Sequence, residues 1–309
     1  MNKKNIWVFI FAFIVFIGLM IFVNSMKISE LETNEHKIVD EFNDIKIISD
    51  TADIVFVYTE EENSLVVCNE QKKVNHSVKV KDNTLSIEIE DNRKWYEYIS
   101  INFNIPKITI YLSKNEYSKL WIESSTGDIN IPKNFKFKSI DILEDTGNIT
   151  NYASVYESIK IKTSTGDIHT ENISTNMIDL STSTGEVKVK DVTCSDDIKI
   201  KVSTGNTSII NTNCKSLISK GSTGDIYLEN VIATEKFSIE RNTGDVRFKT
   251  SDARDIFVKT DTGNITGSLL TDKVIFAESD TGNIDVPKII AEEKCEITTD
   301  TGDIKITIE

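Results

Sequence analysis

The chain has 309 residues, of which 27% are charged and 39% apolar, a balance that fits a folded protein and excludes a disordered one. Its formal charge is −14; Lys3 and Lys4 are the only charges before residue 27, so the remainder carries −16. Such an acidic exterior argues against nucleic acid and against anionic lipid or wall polymers, and leaves basic proteins, neutral glycans and divalent cations as partners.

Residues Ile6 to Val23 form an uncharged apolar run, long enough to cross a membrane as a helix. Two lysines precede it and Glu30, Glu32 and Glu35 follow, so the N-terminus is expected inside and the bulk of the chain outside the cytoplasm. The run is long for a signal peptide, and no small-x-small cleavage site follows it. Residues 1–26 are therefore expected to be a cytoplasmic tip and membrane anchor, with the rest extracytoplasmic.

Residues 27–119 alternate apolar and polar positions irregularly, as in "FNDIKIISDTADIVFVYT", and "HSVKVKDNTLSIEIED" reads as a hairpin around Asp82-Asn83. The triplet Thr51-Ala52-Asp53 is a degenerate copy of the turn that dominates the rest of the chain. This segment is expected to start and cap a solenoid. The stretch "NRKWYEYISINF" puts Trp95, Tyr96 and Tyr98 beside Arg93 and Lys94, either as a plug for the open end or as a partner-binding aromatic cluster.

From residue 120 to 309 a Thr-Gly turn followed by Asp, Asn or Glu recurs every 19 or 20 residues. Its glycines are Gly127, Gly147, Gly166, Gly185, Gly205, Gly224, Gly244, Gly263, Gly282 and Gly302. A fixed period near twenty indicates a solenoid whose units bury their apolar faces on one another. Aligned on the glycine, the positions seven and five before it and two after it are nearly all Ile, Val or Leu. Each unit thus supplies two short strands joined through the turn. The glycine takes a backbone angle other residues avoid, and its Asx neighbour bonds to local backbone. The fold class is all-β, a single-stranded right-handed β-solenoid of about ten rungs behind an N-terminal transmembrane helix.

The anchor, the strand-rich lead-in and the "S-T-G-D-I-x-I" rungs together resemble a bacterial family of putative adhesins. These are β-solenoid proteins of unknown function, and some membrane-anchored members are encoded beside cell-envelope-stress signalling systems. The resemblance covers residues 38–309. It implies the fold and an envelope-binding role, and it carries no catalytic residues.

A catalytic site should break the repeat at one place, and none is apparent: His36, His76 and His169 are scattered without identifiable partners. The chain is read as a non-enzyme with no cofactor. Asp261, Asp280 and Asp300 precede the Thr of successive late units and form a weak metal candidate, without the known calcium β-roll pattern. Cys194 and Cys214 fall one rung apart in a small-residue column, and Cys295 lies in a core column, so buried free thiols are expected.

Outward columns alternate in sign, as in Asp141, Lys160, Asp179 and Lys199, or Lys220, Glu240, Lys259 and Glu278. Six before the glycine the later residues become Ile218, Ser238, Phe257 and Phe276, which places two phenylalanines on adjacent rungs as a partner-binding candidate. The C-terminus stops in mid-rung, so its strand is expected to present an open edge for self-association or a partner. The functional expectation is a membrane-anchored scaffold that docks an envelope or membrane protein. The alternative is an adhesin for glycan or wall polymer, and a polysaccharide-cleaving enzyme ranks last.

Overall fold

A computed structural model describes residues 31–93 and 104–309, all strand, turn and loop. No helix among them is long and apolar enough to cross a membrane. The proposed anchor at 6–23 and Trp95, Tyr96 and Tyr98 lie outside the described residues.

The lead-in strands are β1 (Leu31–Ile38), β2 (Asp44–Ile48), β3 (Asp53–Tyr58), β4 (Ser64–Gln71), β5 (Val74–Lys81), β6 (Thr84–Asp91) and β7 (Lys107–Leu112). The repeats begin with β8 (Glu116–Thr126), β9 (Ile129–Ile131), β10 (Lys136–Thr146), β11 (Ile149–Asn151), β12 (Ser154–Thr165) and β13 (Ile168–Thr175). They continue through β14 (Met177–Thr184), β15 (Val187–Cys194), β16 (Asp197–Thr204), β17 (Thr207–Thr223), β18 (Ile226–Thr243) and β19 (Val246–Lys249). The last are β20 (Asp252–Thr262), β21 (Ile265–Leu269), β22 (Val274–Thr281), β23 (Ile284–Asp285), β24 (Lys294–Thr301) and β25 (Ile304–Ile308).

Each repeat contributes one strand before its glycine and one after it, and both pair in parallel with the same strands of the next rung. β17 and β18 run unbroken from the second face of one rung to the first face of the next. The alternation read from the sequence is the burial pattern: Ile140, Ile142 and Ile149 of one unit, and their counterparts in most others, are fully inside.

The glycine is required twice over. At Gly166 the backbone angle φ is +143°, and a Cβ there would lie 1.9 Å from the carbonyl oxygen of Gly147 in the rung beside it. The Asx residue that follows has its own task, since its side-chain oxygen accepts the backbone N–H of its counterpart one rung on. Asn148 N–H donates to Asp128 Oδ1 at 2.8 Å, and Asp167 N–H to Asn148 Oδ1 at 2.9 Å. Ala52 takes the place of glycine beneath Gly127, and Asp53 begins the ladder by accepting from Asp128 N–H at 2.9 Å. A second ladder, at the opposite corner, was not read from the sequence. Asn172, Asp191, Asn211, Asn230 and Thr250 all have positive φ, and Asn211 and Asn230 bond to the side chain one rung back.

The order of rungs departs from the order of the chain at both ends. β2 and β3 lie directly against β8 and β9, and β6 and β7 stack beyond them. Antiparallel β5 and β4 then cover β6 and β7, and β1 pairs with β4. At the other end β20 pairs with β24, and β24 with β22; likewise β21 pairs with β25, and β25 with β23. The C-terminal unit is inserted between two earlier ones. The expected open edge at the C-terminal strand is narrowed: β25 pairs on both sides at Ile304 and Lys305, pairs only with β21 from Ile306 to Ile308 among the described residues, and the outermost rung is β22 with β23.

Candidate functional site

The inserted rung reorganises the predicted surface. Phe257 and Phe276, expected on adjacent rungs, are separated by Glu296, which pairs with both. Phe257 is half-buried, as is Ile218 two rungs further back. Lys259 and Glu278, expected to continue an alternating column, are likewise separated by Thr298. The earlier pairs do form, with Lys220 Nζ 2.8 Å from Glu240 and Lys160 Nζ 3.9 Å from Asp141, both well exposed.

What replaces the predicted aromatic patch is an open end. Among the described residues, β22 and β23 each have a strand on one side only. Their core-column residues Ile275 and Ala277 are only partly covered, Phe276 is 57% exposed and Ile284 45%. Ile290, in the connection that leads back to β24, is fully exposed. An open depression of about 520 Å³ is lined by Phe276, Ala277, Glu278, Glu296 and Thr298. Exposed Glu278, Asp280 and Asp285 give this edge a negative charge, with Lys305 3.6 Å from Asp285.

An ionic lock holds the swapped order. Lys273, immediately before β22, is completely buried, with Nζ 2.8 Å from Asp252 and 2.5 Å from Glu293. Asp252 opens β20 and Glu293 immediately precedes β24, so one ammonium ties the three strands whose order is exchanged. Thr271 donates its hydroxyl to Asp252 at 2.8 Å.

A second polar cluster lies at the opposite, capped end. Glu70 of β4 is buried, and its Oε2 accepts both the backbone N–H and the ring Nδ1 of His76 at 2.8 Å. Its Oε1 accepts from Asn34 of β1 at 2.7 Å. The other His76 nitrogen, Nε2, is 3.2 Å from the Ser49 hydroxyl just beyond β2. Burial would raise the Glu70 carboxyl, but the hydrogen bonds from His76 and Asn34 outweigh it and hold the group below its ordinary range. Cys68, two residues earlier on the same face of β4, completes a group whose ligand atoms all lie within 4.8 Å of one another. Burial, then the neighbouring Glu70, pushes its thiol up to about 12.

The sequence reading of His76 as partnerless is thus corrected, as is that of His169, which is 2.9 Å from Glu171. Cys68, Glu70 and His76 meet through the local β4–β5 hairpin, whereas Ser49 joins them only through the exchanged strand order, which places β2 beside β6 and β6 beside β5. The Ser-His-Glu order invites a nucleophile reading. The amides of Ser49 and Ala52 are both spent on rung carbonyls and cannot serve as oxyanion donors. Among the described residues this is the one convergent group of three metal-ligating side chains. Asp261, Asp300 and Asp280 fall on neighbouring rungs in that spatial order, each between paired residues of β20, β24 and β22. All four cysteines are buried and unbridged, Cys194 and Cys214 included.

Two successive stretches, residues 42–196 and 193–309, match the model of one protein family, Toastrack DUF4097. The chain belongs to the DUF4097 family. The double match reflects the repeat, since family-like rungs run through both halves. No curated protein matches the chain in sequence. Among solved structures, it is similar to a putative lipid binding protein from Parabacteroides distasonis ATCC 8503 at 19% identity and a TM-score of 0.51, covering 77% of this chain and 96% of that one. A putative adhesin from the same organism gives 13% identity and a TM-score of 0.50, over 77% and 97% of the two chains. At these identities the likeness is one of fold. The resemblance to a family of putative adhesins built as β-solenoids holds.

Proposed function

We propose that the chain is a non-enzymatic binding scaffold of the cell envelope, held at the membrane by the Ile6–Val23 run, that docks a partner protein on its open end rung. The observation that carries this reading is the contrast between ends. The first rungs are covered by β5, β4 and β1, whereas β22 and β23 leave backbone groups and apolar side chains uncovered. An edge of this kind accepts an added strand through main-chain hydrogen bonds, with alternate side chains giving specificity. Glu278, Asp280 and Asp285 oppose pairing with a second copy of the same acidic edge and favour a basic segment with alternating apolar residues.

The test is in-cell crosslinking of the full-length, anchored protein, comparing wild type with the double variant Phe276→Asp and Ile284→Asp. Both side chains are exposed, so thermal melting should be unchanged. The expected result is a specific membrane or envelope protein recovered with wild type and lost with the variant. Equal recovery from both would remove the edge from consideration. If no protein is recovered and the purified chain instead binds wall material or glycan, the adhesin reading replaces this one.

A further inference from the structure

We propose that Cys68, Glu70 and His76 form a metal site for a zinc-like divalent cation, which fastens the cap strands β4 and β5 to each other. Cys68 and Glu70 stand two apart on β4, so their side chains share a face, and the β4–β5 hairpin brings His76 against them. A hydrogen-bonded Glu70–His76 pair would need no cysteine beside it. Yet the Cys68 thiol makes no hydrogen bond among the described residues, and its sulfur lies within 4.8 Å of both partners.

The donor set selects the ion. Sulfur, imidazole nitrogen and one carboxylate oxygen suit zinc, whereas calcium and magnesium require oxygen throughout. Tetrahedral zinc at ordinary bond lengths separates its ligand atoms by about 3.3–3.6 Å. The Nδ1–Oε2 pair, now at 2.8 Å, need open by only about half an ångström by that geometry. Charge closes as well: a thiolate and a carboxylate neutralise a divalent cation, and imidazole binds uncharged, so the buried site holds no net charge.

The surroundings supply the outer partners such a site needs. Asn34 fixes the carboxylate oxygen that faces away from His76, and Ser49 stands at Nε2. When the cation takes Nδ1, the imidazole proton moves to Nε2 and is accepted by the Ser49 hydroxyl. The thiol proton leaves to solvent. Of the three ligands, His76 is the one that lines a cleft, of about 230 Å³, with Asp50, Thr51 and Gln71. The cation would join β4 and β5 within the cap, with Asn34 of β1 and Ser49 beyond β2 as outer partners.

The experiment uses the full chain in detergent, stripped with chelator and reloaded with zinc or cobalt(II). Zinc content should reach one per chain, with a rise in melting temperature, and calcium should give neither. The cobalt form should show a thiolate-to-metal charge-transfer band. Cys68→Ser should abolish the band and weaken zinc binding by more than about 100-fold, Ser49→Ala by about 10-fold, and Cys295→Ala should leave both unchanged. Failure of wild type to retain stoichiometric zinc overturns the proposal, whatever the variants do. Persistence of the band in Cys68→Ser overturns it equally.

Discussion

Three residues before each repeat glycine the side chain turns into the corner of the tube, and the hydroxyl residues there have a specific task. Thr182, Thr260 and Thr299 donate to the glycine carbonyl one rung away, at 3.0, 3.2 and 2.9 Å. Glu144 occupies the same column, fully buried, between Ser124 and Thr163 of the flanking rungs. Burial pushes its carboxyl from 4.5 up to about 7. A raised pKa means the folded state holds the proton more tightly, so this group favours folding most at low pH and loses that contribution as pH rises from about 4.5 through 7. Glu144→Thr should therefore stabilise the protein more at pH 8 than at pH 4, by about 3 kcal/mol, measured by urea unfolding at both values. Equal effects at the two values would mean that the carboxylate reaches water.

The Asx ladder contains another residue-scale defect. Glu186 N–H donates to Asp167 at 2.7 Å, but among the described residues no bond runs from the Asn206 amide to Glu186, whose extra methylene carries the carboxylate past it. Glu186→Asp should restore that step and add about 1 kcal/mol. A melting temperature that is unchanged or lower would count against the ladder as a stabilising device.

At the scale of elements, the exchange of the last two units is the feature that needs explanation. Every unit presents similar columns and the same turn, so β22 and β24 could each lie against β20 with comparable hydrogen bonding. The unique interactions are at the strand starts. Lys273 reaches Asp252 and Glu293 together only when β24 lies between β20 and β22. Lys273→Met leaves Asp252 buried without its cation and should cost about 3 kcal/mol. Hydrogen exchange should then accelerate in β22 to β25 while β10 to β16 keep their protection. Uniform acceleration along the chain would show that the lock holds the whole stack and not its end.

For the whole molecule the exchanged order makes a prediction contrary to chain position. Amides of Cys295–Thr301, near the C-terminus, should exchange more slowly than those of Ile275–Thr281, because β24 is covered on both sides and β22 on one. The reverse would mean that the units stack in chain order in solution. The same asymmetry places the binding edge. A stack capped at one end by antiparallel strands and open at the other directs its exposed backbone away from the cap, which is also where Ser49, Cys68, Glu70 and His76 converge.

The sequence by itself determined the rung. Gly166 and its counterparts, the Asx residue after each, and the Ile and Val columns state a local rule that each unit obeys alone, so period and alternation were enough to read the tube and its core. What only the tertiary structure decided is which rung lies against which. Near-identical units stack interchangeably, and their order is settled by a few contacts between distant residues, such as Lys273 with Asp252 and Glu293. For that reason Phe257 and Phe276, adjacent by count, are not neighbours, while His76 and Ser49, far apart by count, are.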